Sequence, residues 1–421
     1  MLFDYSKLKV HRMICVDMKS FYASVEAVDH QLDPLQAMIA VVGDLQVSSS
    51  VVLAASPALK QRYQIRTGSR LFQIPRTHHI HVFESRMQRY LDVSMQIVRI
   101  LNEFVPAQAI HIYSIDEMIV CLDSTNNIYP TAWEAAVDIK QTILNRTGIT
   151  ASIGIGPNKF ISKVILDTQA KHAGIAECRY EDVPELLWPL RVEEVWGIGE
   201  KMRRQFNRAR IFTLKDLAHT SLGWLRRTYG VMGEEYYMHA WGIDLSPVHH
   251  DPTLEIRKGF SRGNTLARDY SVSEAKIVIY EATDYLARKL RSAHLAAHTV
   301  SLSLRYNRLD LLTSYSRSIT LLSASDLSKY LYESCCLLLD QSTVDGRIRH
   351  VAVSVSNLVD DDEIQMDLFV HATDEKLRRL GKTIDTIQTK FGSAAILRAS
   401  SISEAGTAIQ RSHKIGGHYS G

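Results

Sequence analysis

The stretch HIYSIDEMIVCLD, residues 111–123, carries two adjacent carboxylates, Asp116 and Glu117, inside an apolar and β-branched run. A short apolar run of this kind predicts a buried β-strand. An ionised carboxylate that leaves water costs several kcal/mol unless a positive group meets it. We therefore expect this strand to have a cationic partner.

A third carboxylate, Asp17, lies where the apolar strand in HRMICVDMKSFYASVEAV (residues 11–28) gives way to a helix. Neighbouring strands of one sheet would bring Asp17 to Asp116 and Glu117. Hard divalent cations such as Mg²⁺, which take oxygen ligands, would neutralise such a cluster. Two ions about 3.5–4 Å apart would clamp the oxygens of an in-line phosphoryl displacement. Each acid could instead cap a turn or pair with an arginine, and that alternative stays open at this point.

The chain has 421 residues, which predicts two to four domains. It has no run of 18 apolar residues and no apolar leader, so we expect neither a membrane span nor a secretion signal. Its five cysteines form no Cys-x-x-Cys pair. That pattern predicts a reducing cytosol and argues against a disulfide framework and a zinc site.

Charge is unevenly distributed along the chain. Residues 101–200 hold 14 acidic and 7 basic side chains, whereas residues 201–250 hold 8 basic and 4 acidic ones. Residues 255–350 again have a basic excess, with 14 basic and 10 acidic side chains. This order suits a metal-binding centre followed by domains that grip nucleic acid, although ordinary solvated surfaces would also explain it.

Strands alternate with helices up to about residue 183, which predicts an α/β sheet with helices packed on it. Two prolines in VPELLWPL mark a junction at 183–190, and HHDPTLEI at 249–256 is typical of a linker. Short helices separated by glycine turns are predicted between them. The pattern over 257–358 is strand, helix, strand, strand, helix, strand, a compact β-α-β-β-α-β unit.

Four motifs occur in order: VDMKSFYASVE (16–26), YSIDE (113–117), SIGIGPNKFISK (152–163) and AKHAG (170–174). They resemble the Y-family DNA polymerases, the translesion enzymes of the polymerase IV, polymerase V and UmuC group. The resemblance covers essentially the whole chain, and its most similar type is the UmuC-like UvrX/YqjW group of Gram-positive bacteria. It implies an α/β (α+β) multidomain fold: a right-hand polymerase with a ferredoxin-like palm, small fingers, a helical helix-hairpin-helix thumb and a β-α-β-β-α-β little finger.

The resemblance also implies domain boundaries. The expected parts are a palm (1–27 and 81–183), fingers (28–80), a thumb with the helix-hairpin-helix (184–248), a little finger (256–358) and a C-terminal tail with a clamp-binding peptide (359–421). The fingers segment is too short for a long closing helix. An open site of that kind would tolerate damaged templates and have low fidelity.

The resemblance assigns the carboxylates. Asp17 and Asp116 would ligate both of two Mg²⁺ ions, with the backbone carbonyl of Met18 assisting. Glu117 would hold the ion that activates the primer 3′-hydroxyl. Lys19 stands where many relatives carry a second acidic residue, a position that ligates no metal in the family.

The same motifs suggest a nucleotide site. Tyr22, beside Phe21, matches the bulky residue that blocks a ribose 2′-hydroxyl, although an aromatic residue at a helix start more often packs in a core. Lys171 matches the lysine that meets the triphosphate, a role that suits an ammonium. Lys60 is a second candidate, and because the local motif departs from the family pattern, Arg62 and Arg66 compete with it.

DNA contacts are expected in two regions. VWGIGEKMRRQFNRARIFTLKDLA (195–218) resembles a helix-hairpin-helix, in which backbone amides bind phosphate without reading sequence. The little finger would add salt-sensitive backbone contacts, unless its arginines only cover an exposed strand face. The predicted DNA-binding residues are Gly197, Gly199, Lys201, Arg203, Arg204, Arg262, Arg268 and Arg305.

A short peptide after the little finger resembles the motif by which bacterial polymerases dock on the sliding clamp (β clamp). It consists of Gln365, Met366, Asp367, Leu368 and Phe369. The leucine and phenylalanine would fill an apolar pocket while the glutamine bonds at its rim. A UmuD-like or recombinase partner is a further candidate.

The interpretation is a DNA-templated DNA polymerase that acts on primer-template DNA and deoxynucleoside triphosphates in the bacterial cytoplasm, at the nucleoid. One alternative is a non-catalytic, clamp-docking DNA-binding accessory protein, which would not need three clustered acids. Another is a two-metal nuclease, which would need neither Tyr22 nor Lys171.

Overall fold

The computed structural model describes residues 3–247, 257–308, 311–342, 346–362 and 371–421. The chain divides into two compact units. The first comprises Met1–Pro252 with His418–Gly421, and the second comprises Thr253–Gly417. The boundaries of the four-part polymerase division stay a prediction.

The first unit contains two sheets and several short helices. Its strands are β1 (Met13–Met18), β2 (Met38–Val42), β3 (Val52–Ala55), β4 (Ile80–Glu84), β5 (Ile110–Ile112), β6 (Glu117–Cys121), β7 (Ala151–Gly156) and β8 (Ile175–Glu177). Its α-helices are α1 (Phe21–Asp29), α2 (Pro57–Tyr63), α3 (Met87–Phe104), α4 (Ala132–Thr147), α5 (Lys159–Ile165), α6 (Lys171–Ala173), α7 (Val183–Leu186), α8 (Glu200–Arg208), α9 (Leu214–Ala218), α10 (Leu222–Tyr229) and α11 (Val231–Ala240).

The larger sheet has the strand order β5-β6-β1-β7-β8. β1 is its central strand and pairs antiparallel with both β6 and β7, while β7 and β8 are parallel. The apolar side chains of β1 are buried because helices pack against this sheet. The alternation of strands and helices in the sequence therefore predicted the architecture correctly.

The single strand predicted over residues 111–123 is wrong. The structure forms a hairpin there, in which Ile112 of β5 pairs with Met118 of β6. The amide groups of Tyr113 and Ser114 both donate to the carbonyl of Glu117, which closes the turn. A continuous apolar pattern cannot reveal this reversal, because the turn depends on local hydrogen bonds rather than on hydrophobic period.

A three-stranded sheet with the order β3-β2-β4 forms a separate small core with α2. The two strands β2 and β3 lie in the segment that the sequence suggested was only mixed and turn-rich. Helix α2 has seven residues. No helix of the segment 28–80, all of which is described, is longer, as expected for small fingers.

The second unit is a four-stranded sheet covered by helices. Its elements are β9 (Gly259–Tyr270), α12 (Val272–Ser292), β10 (Leu295–Arg308), β11 (Leu311–Ser325), α13 (Ser328–Asp340), β12 (Arg347–Asp360), α14 (His371–Phe391), α15 (Ala408–Ser412) and β13 (Lys414–Ile415). The short strand β14 (His418–Tyr419) belongs to the first unit. The sheet order is β11-β10-β12-β9, so the predicted β-α-β-β-α-β unit is confirmed.

Helix α14, within the predicted C-terminal tail, packs on α12. The nearly buried Arg291 of α12 makes two bonds of 2.6 and 3.0 Å to Asp385 of α14. A methyl group added at Gly381 would lie 3.1 Å from the Arg291 guanidinium, which explains a glycine inside this helix. In the part of the chain that is described, no helix is long and apolar enough to cross a membrane.

Candidate active site

The three predicted carboxylates come together at one end of β1 and β6. Asp17 stands opposite Glu117 in the antiparallel register of these strands. The amide of Met18 donates to the carbonyl of Asp116 at 3.0 Å, which holds the hairpin turn against the end of β1. Ser114 also donates to the Asp116 carboxylate at 2.7 Å. The local hydrogen bonds therefore fix the backbone from which all three acids project.

Glu117 has a cationic partner that the sequence analysis missed. Lys163 of α5 lies 2.8 Å from its carboxylate, and both side chains are more than 90% buried. The Cys15 thiol donates to the other carboxylate oxygen at 3.2 Å. Burial opposes the charge of Lys163, but its bonds to Glu117 and Asp167 prevail and raise its pKa. The positive group expected at this strand is therefore, within the chain itself, a lysine.

A ladder of alternating charges continues from Lys163. Asp167 lies 2.9 Å from Lys163 and 2.7 Å from Lys171, and Lys171 lies 3.5 Å from Asp17. Lys163, Asp167 and Lys171, which we call the lysine ladder, stand four apart in sequence, so they share a helix face. The segment Leu166–Ala170 between α5 and α6 is π-helical, a distortion frequent at functional sites. The four-residue spacing was the signal that would have found Lys163 and Asp167.

The donor set fits a hard divalent cation. Burial, together with the Asp116 and Glu117 charges, raises the pKa of Asp17 to about 6, although Lys171 acts in the opposite direction. Lys171 and Lys163 thus compensate the negative charge around Asp17 only in part. Carboxylate and carbonyl oxygens are the ligands that Mg²⁺ takes, so the residues present suit that ion.

Tyr22 lies on α1 beside the carboxylates, and its ring stacks on that of Tyr90. The ring centroids are 4.4 Å apart and the planes differ by 12°. Tyr90 is fully buried and donates to Glu26 at 2.6 Å, and Glu26 accepts two bonds from Arg86. The Tyr90 ring, fixed by its bond to the Glu26–Arg86 ion pair, therefore supports the Tyr22 ring from one side. The ring centroid of Phe21 lies 5.8 Å from that of Tyr22, and Phe21 is buried in the core.

Of the three competing basic residues, Lys60 is the one that reaches the first motif. Its ammonium donates to Ser20 at 2.9 Å, immediately before Phe21 and Tyr22. Arg66 instead bonds Gln64, and Arg62 lies over the ring of Tyr63. Burial lowers the pKa of Lys60, and repulsion by Lys171 and Lys19 adds to this effect, while Asp17 opposes it.

Comparisons with known proteins agree with this geometry. Residues 16–167 match the impB/mucB/samB family, residues 257–368 match its C-terminal domain, and residues 180–209 match the HHH motif of the IMS family. A Bacillus subtilis protein named for UV-damage repair, UvrX, is 41% identical over the full length of both chains. The chain belongs to the UmuC-like Y-family DNA polymerases.

Other relatives and a solved structure extend the similarity. The B. subtilis protein named DNA polymerase IV 2 is 36% identical over 98% of this chain and 100% of its own. A DNA polymerase IV of Pelotomaculum thermopropionicum is 33% identical over 95% of this chain and 97% of its own. A solved Y-family polymerase chimera of Dbh and Dpo4 has a TM-score of 0.66 at 21% identity, covering 83% of this chain and 99% of its own. The predicted family and fold are confirmed.

The helix-hairpin-helix of this Y-family chain begins at a glycine turn. Gly197 has a φ of 91°, a conformation that favours glycine, and Gly199 is the N-cap of α8. Arg203 and Arg204 both bond Glu200 on the same helix. Lys201, the remaining predicted residue here, is exposed. The amide groups at the start of α8 are thus flanked by basic side chains.

The three arginines that were predicted to contact the DNA backbone do not share one face of the sheet. Arg262 pairs with Val353, whose side chain is buried under the helices, and its guanidinium lies 4.1 Å from the Tyr285 ring centroid of α12. Arg268 pairs with Glu274 at 2.6 Å. Arg305 is exposed and pairs with His350, on the face opposite the helices. The strand register, which the sequence does not give, decides these directions.

Hydroxyl side chains surround Arg305 on this open face, a feature that the sequence analysis missed. The alternation in TVSLSLR and VAVSVSN was the available signal, because alternate residues of a strand point to the same face. The open-face hydroxyl residues on the four strands include Ser261, Thr265, Ser301, Ser303, Ser314, Ser316, Ser318 and Ser354. Such a face offers donors without bulky side chains. The clamp peptide, Gln365–Phe369, lies outside the described residues.

Proposed function

We propose that this protein is a DNA-templated DNA polymerase of low fidelity that adds deoxynucleotides to a primer 3′ end and continues past damaged template bases. The observation that carries the proposal is the cluster of Asp17, Asp116 and Glu117 beside the lysine ladder. A DNA-binding accessory protein has no use for such a cluster. The non-catalytic, clamp-docking alternative has no observation in its favour.

Asp17, Asp116, Glu117 and the carbonyl of Met18 would hold two Mg²⁺ ions. When bound, these ions supply charge neutralisation at the attacking and leaving oxygens of phosphoryl transfer. Lys163 holds one Glu117 oxygen at 2.8 Å, which fixes the orientation of that carboxylate. Ser114 restrains Asp116 in the same way. The chain's own contribution is therefore a set of acids already oriented on β1, on β6 and in the turn that precedes β6.

The incoming nucleotide would meet Lys171 and Lys60 through its triphosphate. Their ammonium groups act as point charges on the phosphate oxygens, while Asp167 holds Lys171 in reach. Tyr22, backed by Tyr90, would leave room for hydrogen but not for a hydroxyl at C2′ of the sugar. This arrangement also separates the proposal from a nuclease, because a nuclease has no incoming nucleotide to select.

One DNA-binding region would consist of the amides at Gly197 and Gly199 with the side chains of Lys201, Arg203 and Arg204. The other would be the open face of the second unit's sheet around Arg305. Contacts of this kind are made to phosphates and do not read sequence. Arg262 and Arg268, with their intramolecular partners, would contribute less. The small fingers with the seven-residue α2 favour tolerance of distorted template bases.

The partners we propose are primer-template DNA, deoxynucleoside triphosphates and the bacterial sliding clamp, bound through Gln365–Phe369. A UmuD-like or recombinase partner is a further candidate, and co-purification with the full chain tests it. We place the enzyme in the bacterial cytoplasm, at the nucleoid. The five cysteines, all of them free, suit a reducing compartment.

Primer extension with Mg²⁺ and the four deoxynucleotides tests the proposal directly. The full chain and Asp116→Asn are compared on undamaged and abasic templates, and primer-template binding is measured in parallel. We expect extension past the abasic site by the full chain, and none by Asp116→Asn although it still binds DNA. A full chain that binds primer-template but adds no nucleotide, even with the clamp present, would support the accessory protein instead.

A further inference from the structure

The strands β1 and β6 carry a second group of reactive side chains at the end opposite to the carboxylates. Met13 pairs with Cys121 in the same register that pairs Asp17 with Glu117. Four residues of strand separate the two ends, which corresponds to about 13 Å. His11 precedes β1, and Asp123 follows β6. This second group is therefore distinct from the candidate active site.

The three side chains point at one another. One ring nitrogen of His11, the thiol sulfur of Cys121 and one carboxylate oxygen of Asp123 all lie within 4.8 Å of one another. His11 Nδ1 lies 2.6 Å from one Asp123 oxygen. The other oxygen accepts the amide hydrogen of Arg12 at 2.8 Å, which orients the carboxylate.

We propose that His11, Cys121 and Asp123 form a binding site for a single Zn²⁺ ion. Zinc is bound in proteins by thiolate, imidazole and carboxylate, usually with four ligands in a tetrahedron. Bond lengths of about 2.0–2.3 Å place neighbouring ligand atoms about 3.3–3.7 Å apart, which is within the 4.8 Å that spans the three ligand atoms here. A water molecule would complete the tetrahedron.

The donor set distinguishes zinc from the magnesium of the active site. A thiolate and an imidazole are soft or intermediate ligands that Mg²⁺ does not favour, whereas Zn²⁺ takes both. Binding displaces the proton of the Cys121 thiol to solvent, and the resulting thiolate and the Asp123 carboxylate balance the charge of the ion. The proposal differs from the expectation of no zinc site, which rested on the absence of a Cys-x-x-Cys pair alone.

The site is both rigid and accessible. Cys121 is buried at the end of a strand whose neighbours form the core of the sheet, so its backbone is fixed. A cavity of about 180 Å³ lies against His11 and is lined also by Asn158 and Asp244. The Asp123 side chain is 39% exposed, so solvent also reaches the group at this carboxylate.

Cobalt substitution tests the proposal. Metal-free full-length protein is titrated with Co²⁺ in the presence of excess Mg²⁺, which fills the carboxylate site. We expect a thiolate-to-cobalt charge-transfer band that saturates at one equivalent and disappears when Zn²⁺ is added. The band should be absent in Cys121→Ser and retained in Cys15→Ser, whose thiol lies against Glu117. Absence of the band in the intact chain, or its loss only in Cys15→Ser, would overturn the proposal.

Two further variants keep the test decisive if Cys121→Ser does not fold, as judged by circular dichroism and primer extension. Asp123→Asn keeps an oxygen for the Arg12 amide but removes the charge, and His11→Gln removes the imidazole. Each should weaken Co²⁺ binding at least about tenfold. Zn²⁺ should also raise the Tm of the intact chain but not of these variants. Unchanged affinity in both would mean that His11 and Asp123 form only an ion pair.

Discussion

At the residue scale, the buried pair of Lys163 and Glu117 joins a stability role to the metal-binding role that we propose for Glu117. Two charges with side chains less than 10% exposed can only coexist because they face each other at 2.8 Å. Asp167 adds a second contact to Lys163 at 2.9 Å, and the Cys15 thiol donates to the other Glu117 oxygen at 3.2 Å. The pair thus orients the Glu117 carboxylate before any metal binds.

Lys163→Met should lower the free energy of unfolding by about 3–5 kcal/mol, because it leaves the buried Glu117 carboxylate without its cationic partner. Urea denaturation followed by circular dichroism measures this. Lys171→Met is the matched control, since Lys171 belongs to the same ladder but its side chain is 41% exposed. Its loss should cost about 1 kcal/mol or less. Equal losses in the two variants would mean that the burial of Lys163 does not matter.

Tyr22→Ala should raise ribonucleotide incorporation relative to deoxynucleotide incorporation by about 10- to 200-fold, the range typical of a small steric difference in a pocket. Single-nucleotide insertion kinetics with matched ribo- and deoxynucleotides measure the ratio. Tyr22→Phe keeps the ring on Tyr90 and should keep the selectivity. An unchanged ratio in Tyr22→Ala would assign Tyr22 to core packing only.

At the element scale, α5 lies so close to β7 that only glycine fits between them. A methyl group built at Gly154 would lie 2.2 Å from the carbonyl oxygen of Ser162 and 2.4 Å from the amide nitrogen of Leu166. Both contacts are with backbone atoms, which cannot rotate away. This packing sets the position of the helical segment that carries Lys163, Asp167 and Lys171.

Gly154→Ala should therefore destabilise the first unit by about 1–3 kcal/mol and displace the lysine ladder. Thermal unfolding measures the loss, and the KM for the incoming nucleotide should rise with it. Gly223→Ala in α10 is the control, because its added methyl group meets nothing closer than 3.8 Å. Helix propensity should leave that variant unchanged or about 1 kcal/mol more stable. A neutral Gly154→Ala would show that α5 can shift freely.

At the scale of the whole molecule, DNA affinity should depend on which face of the second unit's sheet carries a given arginine. Arg305→Ala should weaken primer-template binding and reduce the slope of log K against log salt by about 0.9, the value for one lost phosphate contact. Fluorescence anisotropy at several salt concentrations measures both. Arg262→Ala should leave that slope unchanged and instead lower the Tm, because Arg262 packs on Tyr285. The reverse outcome would place DNA on the helix side.

Much of this protein could be predicted from its sequence. Asp17, Asp116, Glu117, Tyr22 and Lys171 lie in contiguous motifs, and the order of strands and helices in the second unit follows from hydrophobic period. Contiguous motifs and hydrophobic periodicity are properties of the sequence alone, so they can be identified without a structure. The family and the fold class followed from them.

Only the tertiary structure decided the rest. The burial of Lys163 against Glu117, the direction of Arg262 and the meeting of His11 with Cys121 all depend on contacts between segments that are distant in sequence. The hairpin at β5 and β6 is local, but it depends on hydrogen bonds that the apolar pattern does not reveal. A register shift of one residue would turn each side chain to the opposite face. Register is set by the packing of the whole sheet, and no single stretch of sequence contains it.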